Sequence, residues 1–394
     1  MTQPRAICTI IAKNYLAFAR TLARSYLSFH PDSKCYVLVV DDFGGYIDPA
    51  AECFEIIELS EIGIPNLAGF RFKYDVKELC TAAKAHLLEY LIAEKAVERL
   101  LYIDPDILIT GRLDDLFEKL DRYDIVLTPH LDKDYPDDDL LPDDGNILRA
   151  GTYNLGFIGV NSSKNARAFL SWWKPKLYKK CVVDLLNGYF VDQRFIDLAP
   201  IFFENIFIET GVGYNVAYWN LHSRRISREN GSWMCNDGLM YFYHFSGYLP
   251  ESSLISAHIP DHLARYRLSN RKDLRPLFAE YKNLIIANGH AQASQWPYTF
   301  GYFDTGEPIP KNLRLYYRDF AAKRRGYEDP FNSAELKRKI PAATEYAPVV
   351  QLSPKEHMDA ILKSRAWRWV SRYGRFKNRF LTPPFGFFRR RFKS

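Results

Sequence analysis

Apolar positions along this chain recur in two alternating rhythms. ICTIIA (7–12), CYVLVVDD (35–42), FEIIEL (54–59) and RLLYID (99–104) are short, nearly continuous apolar runs rich in β-branched residues, and they predict buried strands. Between them, YLAFARTLARSYLSF (15–29) places Leu16, Ala19, Leu22, Ala23 and Tyr26 on one helical face. DVKELCTAAKAHLLEYLIAEKA (75–96) does the same with Val76, Leu79, Ala83, Leu87 and Leu91, and predicts one long helix. Strand and helix taking turns predict an α/β fold with a doubly wound, mixed, mostly parallel sheet flanked by helices. Farther on, GFIGVN (156–161), NVAYWN (215–220) and GLMYFYHF (238–245) predict strands, NARAFLSWWKPKLYKK (165–180) a helix, and VDQRFIDLA (191–199) a short one. From about residue 256 the periodicity weakens and 286–312 is rich in turn residues. The expected division is a domain over 1–255, a helical C-terminal extension of helices and loops over 256–362, and a separate tail over 363–394.

That tail changes the picture of charge. The net charge of +6 conceals a segregation, because residues 363–394 hold eleven Lys or Arg and no acid. The remainder carries 42 basic and 47 acidic residues, the balance expected of a cytoplasmic enzyme. In the tail, Arg365, Arg368, Arg372, Arg375 and Arg379 form one helical stripe. Trp369, Tyr373, Phe376 and Phe380 form another beside it, until Pro383-Pro384 ends the pattern. A basic, aromatic, amphipathic helix suits an anionic membrane surface, at the inner face of the cell membrane. No motif for nucleic acid accompanies it. No run of 18 apolar residues predicts a membrane span, and MTQPRAICTIIAKNYL does not read as a signal peptide. The six cysteines contain no C-x-x-C pair and read as free thiols of a reducing compartment. LDKDYPDDDLLPDD (131–144), with seven Asp in 14 residues, reads as a solvated loop.

Chemistry concentrates at LYIDPDILI (101–109), where two carboxylates interrupt an apolar run. An ionised carboxylate in apolar surroundings is costly unless something pairs with it. On an extended segment Asp104 and Asp106 point the same way. They follow a strand, and ligands of open α/β sheets bind at that strand end. Two hard oxygen ligands invite Mn²⁺ or Mg²⁺, whose open positions suit a diphosphate.

The longer pattern, DVKELCTAAKAHLLEYL followed by RLLYIDPDILI and GRLDDLF, resembles the GT-A nucleotide-sugar glycosyltransferases. It is most similar to the retaining family 8 group that includes glycogenin and the bacterial lipopolysaccharide galactosyl- and glucosyltransferases. The resemblance covers roughly residues 5–250. It implies a GT-A type fold and a D-x-D at Asp104 and Asp106 that binds manganese and the donor diphosphate. YNLGFIGVN (153–161) looks like the family's F-N-x-G strand, implying Asn154 and Gly156 at the donor sugar. VDQRFID (191–197) looks like its D-Q segment, implying Asp192 and Gln193 at the anomeric carbon. YHFSGY (243–248) looks like its H-x-x-G segment, implying His244 as third metal ligand and Gly247 near the diphosphate. The resemblance further implies a nucleoside-diphosphate sugar donor, UDP- foremost, and a saccharide or glycolipid acceptor, with retention of anomeric configuration.

Two departures stand out. The family's first strand ends A-x-D-x-x-Y, whose Asp reads uracil. Here Ala12-Lys13-Asn14-Tyr15 lacks that acid, leaving Ala12, Asn14 and Tyr15 as the candidates at the base. The family's lysine after H-x-G is also missing from HFSGYLPES, so Lys73, Lys84 or Arg194 would have to meet the diphosphate. Three other functions compete: a nucleotidyltransferase, a non-catalytic membrane-associated protein on a transferase fold, and a metal-dependent hydrolase. AKNYLAFAR has no glycine with which to cradle a phosphate, which counts against the first.

Overall fold

The structure, a computed structural model, describes residues 4–321, 329–334 and 336. Strand β1 (Arg5–Ile11) leads through a single 3-10 turn into helix α1 (Leu16–Phe29). β2 (Lys34–Val39) and β3 (Glu55–Glu58) follow, then helices α2 (Leu67–Lys73), α3 (Val76–Ala82) and α4 (Lys84–Ala93). β4 (Arg99–Ile103) and β5 (Ile107–Ile109) flank the two aspartates. α5 (Asp114–Lys119), β6 (Ile125–Pro129), α6 (Asp144–Ala150), β7 (Tyr153–Asn161) and α7 (Lys164–Lys180) come next.

The central sheet has seven strands, ordered Ile206–Ile208, β6, β7, β4, β1, β2, β3. β7 runs antiparallel to both its neighbours and every other pairing is parallel. This is the mixed, mostly parallel α/β sheet the periodicity predicts. Its inner strands are buried on both faces, which is why they read as continuous apolar runs, while the edge strands β3 and Ile206–Ile208 are partly exposed. α3, α4 and α7 cover one face through Leu79, Leu87, Phe169 and Trp173. α1 and α5 cover the other through Leu16, Leu22 and Leu116.

The residues 75–96 do not form one helix. The chain bends at Ala83, and α4 starts afresh at Lys84. Just before the break, the Thr81 hydroxyl donates back to the carbonyls of Lys77 and Glu78, a side-chain bond that competes with the helix ladder.

β5 leaves the central sheet. It pairs with Phe242–His244, which pairs in turn with Val216–Ala217, making a three-stranded sheet. The helix Arg275–Ala287 packs on this second sheet and on α1, with Tyr281 stacked at 3.7 Å on Phe245. The acidic stretch 131–144 is more structured than a solvated loop. Asp132 accepts from the Ser223 hydroxyl, Asp138 pairs with Arg265, and Asp143 makes a capping box with Asn146 at the start of α6. All six cysteines are free. No helix among the described residues is long and apolar enough to cross a membrane. The arginine and aromatic stripes of 363–394 lie outside the described residues.

Candidate functional site

β4 ends at Ile103, and the next three residues turn: the Ile107 N–H donates to the Asp104 carbonyl at 3.2 Å. The pair Asp104 and Asp106 therefore sits on a turn between two sheets, not within one extended strand. The carboxylates still converge, because β5 runs antiparallel to Phe242–His244 and brings His244 opposite Ile107. His244 Nε2 lies 3.2 Å from Asp106 Oδ1 and 3.9 Å from Asp104 Oδ2. Ligand atoms of all three residues fall within 4.8 Å of one another. The two carboxylates are partly open, at 28% and 22% side-chain exposure, and the imidazole is buried at 3%. Burial opposes a charge on His244, but Asp106 and Asp104 outweigh it and raise its proton affinity above the ordinary histidine value. The same histidine holds Asp106 below the usual carboxylate range, against burial.

His244 is fixed from behind. Its Nδ1 lies 3.3 Å from Asn215 Oδ1, so the other ring nitrogen is free to face the carboxylates. The Asn215 amide donates to Asn154 Oδ1 and to the Thr128 hydroxyl. Asn154 Oδ1 also accepts from the Gly156 N–H. The Trp219 ring packs edge-on against the imidazole at 5.1 Å. Gly156 is glycine for a steric reason: a Cβ there would stand 2.3 Å from His244 Cε1.

A second charged group adjoins the first. Lys84, at the start of α4, points into the sheet with 1% of its side chain exposed. Its Nζ lies 2.5 Å from Asp192 Oδ2 and 4.0 Å from Asp104 Oδ1, and donates to the Leu155 carbonyl at 2.6 Å. The ammonium also sits 4.1 Å over the Tyr102 ring, whose hydroxyl donates to Asp104 Oδ1 at 2.7 Å. Burial works against this ammonium, but Asp192 and Asp104 together raise its pKa above the usual lysine range. Burial pushes the Asp192 carboxyl up, with Lys84 acting the other way.

The sequence candidates divide. Asp104, Asp106, His244, Asn154, Gly156, Lys84 and Asp192 meet in one connected network. Gln193 joins it through its side chain: Oε1 accepts from the Leu155 N–H and the side-chain amide Nε2 donates to the Ala150 carbonyl. Gly247 makes the turn after His244 with φ of +71°, and a Cβ would press on Ser256 and His258. Ala12, Asn14 and Tyr15 lie at the end of β1; Ala12 is buried, and Tyr15 is 44% exposed and stacked on Phe18. Of the three candidate cations, only Lys84 reaches the carboxylates. Lys73 lies over Tyr178, and Arg194 pairs with Asp197. Tyr102, Asn215 and Trp219 were not candidates. Tyr102 alone carried a signal, two residues before Asp104 on the same strand.

No protein-family model matches the chain. A relative, the uncharacterized protein YfnD of Bacillus subtilis (strain 168), is 22% identical over 249 residues, spanning 61% of this chain and 76% of its own. Similar solved structures include the galactosyltransferase LgtC, in complex with donor and acceptor sugar analogues. It is 15% identical, with a TM-score of 0.40 over 72% of this chain and 95% of that one. The glycosyltransferase GlyE of Streptococcus pneumoniae TIGR4 is 17% identical, with a TM-score of 0.41 over 77% and 67%. Mouse xyloside xylosyltransferase 1 is 15% identical, with a TM-score of 0.35 over 61% and 97%.

Proposed function

We propose that this chain is a glycosyltransferase that moves a sugar from a nucleoside-diphosphate donor, UDP- foremost, to a saccharide or glycolipid acceptor with retention of configuration. The observation that carries the reading is the meeting of Asp104, Asp106 and His244 beyond the C-terminal end of β4. Two partly open carboxylates and one imidazole, oriented from behind, make a donor set that suits Mn²⁺ or Mg²⁺. Such a cation, when bound, supplies positive charge to a departing diphosphate. Asp104, Asp106 and His244 would hold it, Asn215 orients the His244 ring, and Tyr102 with Lys84 fixes the Asp104 carboxylate. Asn154 and Gly156 hold the strand on which the donor sugar would lie. Asp192, tied to Lys84 and buried, acts here by holding that ammonium beside Asp104, and Gln193 by bracing Leu155. The basic, aromatic tail suits an acceptor presented at an anionic membrane surface.

The test is donor hydrolysis by the purified full chain across UDP- and GDP-sugars, with Mn²⁺ or with EDTA, beside Asp106→Asn. One nucleoside diphosphate is expected to appear with Mn²⁺ alone, and about 100-fold or more slowly in the variant. Release that persists in EDTA and in Asp106→Asn would remove the metal from the reading. No turnover, joined to no Mn²⁺-dependent nucleotide binding in calorimetry, would remove the transferase.

A further inference from the structure

A cavity of about 620 Å³ lies away from the carboxylate cluster, between α2, the C-terminal end of α7 and the helix Lys311–Ala321. Four cations line it: Lys73, Lys179, Lys180 and Arg318. The one carboxylate in its wall, Asp184, is engaged by the backbone N–H and side-chain amide of Asn187. Lys179 and Lys180 have an ordinary explanation, since they close the last turn of α7 where the helix dipole favours positive charge. Lys73 has none. It is 9% exposed, donates to the Tyr178 carbonyl and lies 3.5 Å over the Tyr178 ring. The charges that act on it, Arg318 and Lys179, are both of its own sign. No carboxylate among the described residues offsets it. Arg318 has Glu78 at 3.1 Å, so that carboxylate is already taken.

A largely buried ammonium among like charges is costly unless an anion joins it. An ammonium has three donors, and the described residues use one of them here. The tyrosine rings of Tyr178 and Tyr189 supply flat, amphipathic wall beside the charges. We propose that this cavity binds an oxyanion, a phosphate or carboxylate group on a small ligand, between Lys73 and Arg318. The site is distinct from the candidate metal centre. Val182 lines the cavity, while Asp192, in the turn after Tyr189–Phe190, faces Lys84. The proposal does not depend on the transferase reading.

Burial and the neighbouring cations hold Lys73 down to about 7, so an incoming anion would restore its proton. Calorimetry on the full chain in EDTA, at about pH 8, tests this with pyrophosphate and, separately, with citrate. Buffers of different ionisation enthalpy report the proton. The expected result is one-site binding with proton uptake, unchanged in Asp106→Asn and weakened about tenfold or more in Lys73→Met and Arg318→Gln. Which probe binds distinguishes a phosphate from a carboxylate ligand. Three results would overturn the proposal: binding of neither probe, binding lost in Asp106→Asn but kept in Lys73→Met, or binding by wild type without proton uptake. The last needs no variant to fold.

Discussion

Lys84 carries a charge into a place that water does not reach, and Asp192 makes that tolerable. Removing one member of a buried pair leaves the other uncompensated, at a cost of about 3–5 kcal/mol, whereas replacing both with apolar residues of similar size is far cheaper. Lys84→Met and Asp192→Leu are each expected to lower stability by that order, and the double variant by much less than the sum. Urea unfolding of the three variants measures this; additive losses would mean that the 2.5 Å pair is not what holds Lys84. At this scale the sequence was legible where spacing dictates geometry. Asp104 and Asp106 had to lie close, and their apolar surroundings demanded a partner. Asn215 was not legible, because its role depends on a left-handed φ of +48° and on a histidine 29 residues away. Lys84 stood out only as one cation among several, since nothing in its helix marks it as the one that points inward.

Among the elements, α2 is closed by a residue from far along the chain. Arg314, on the helix Lys311–Ala321, is buried and donates to the carbonyls of Phe72, Tyr74 and Arg71 and to that of Phe300. The last turn of a helix leaves carbonyls without intrahelical partners, and a guanidinium satisfies several at once while opposing the dipole. Arg314→Met is expected to cost about 2–4 kcal/mol, and Arg314→Lys to recover less than half, because a lysine is a single-point donor. Thermal unfolding in parallel with chemical denaturation gives the magnitude. A loss below about 0.5 kcal/mol would show that water caps α2 equally well. The elements themselves were mostly readable: the inner strands of the central sheet are buried on both faces and so advertise themselves as apolar runs. Two features were not. The break at Ala83, beside the Thr81 side-chain hydrogen bonds, leaves the hydrophobic stripe intact. The departure of β5 to a second sheet depends on pairing with Phe242–His244, more than 130 residues on, which local periodicity does not encode.

For the molecule as a whole, histidines that folding keeps neutral add to the response to acid. His30, His86 and His130 are buried in different parts of the body, and burial holds each down to about 4. His30 Nε2 accepts from the Leu113 N–H, a bond that needs its lone pair. Unfolded, each would titrate near 6.5. Because the folded values lie below the unfolded one, the unfolded chain binds more protons between about pH 6.5 and 4. The stability these residues preserve is complete above that window and is lost as pH falls through it. Each contributes a slope of about 1.4 kcal/mol per pH unit. His244 runs the other way: its value is raised in the fold, so its contribution is present at low pH and is lost as pH rises. Burial lowers His258 as well, and four against one leave these histidines with a net loss of stability on acidification. His30→Gln keeps an acceptor for Leu113 and removes one titration, so its stability should fall less steeply than that of the wild type by about one proton. Urea midpoints taken from pH 7.5 to about 4.5 compare the two slopes. Parallel curves would mean that His30 takes up its proton without leaving its bond to Leu113, and that the acid sensitivity of this fold resides elsewhere.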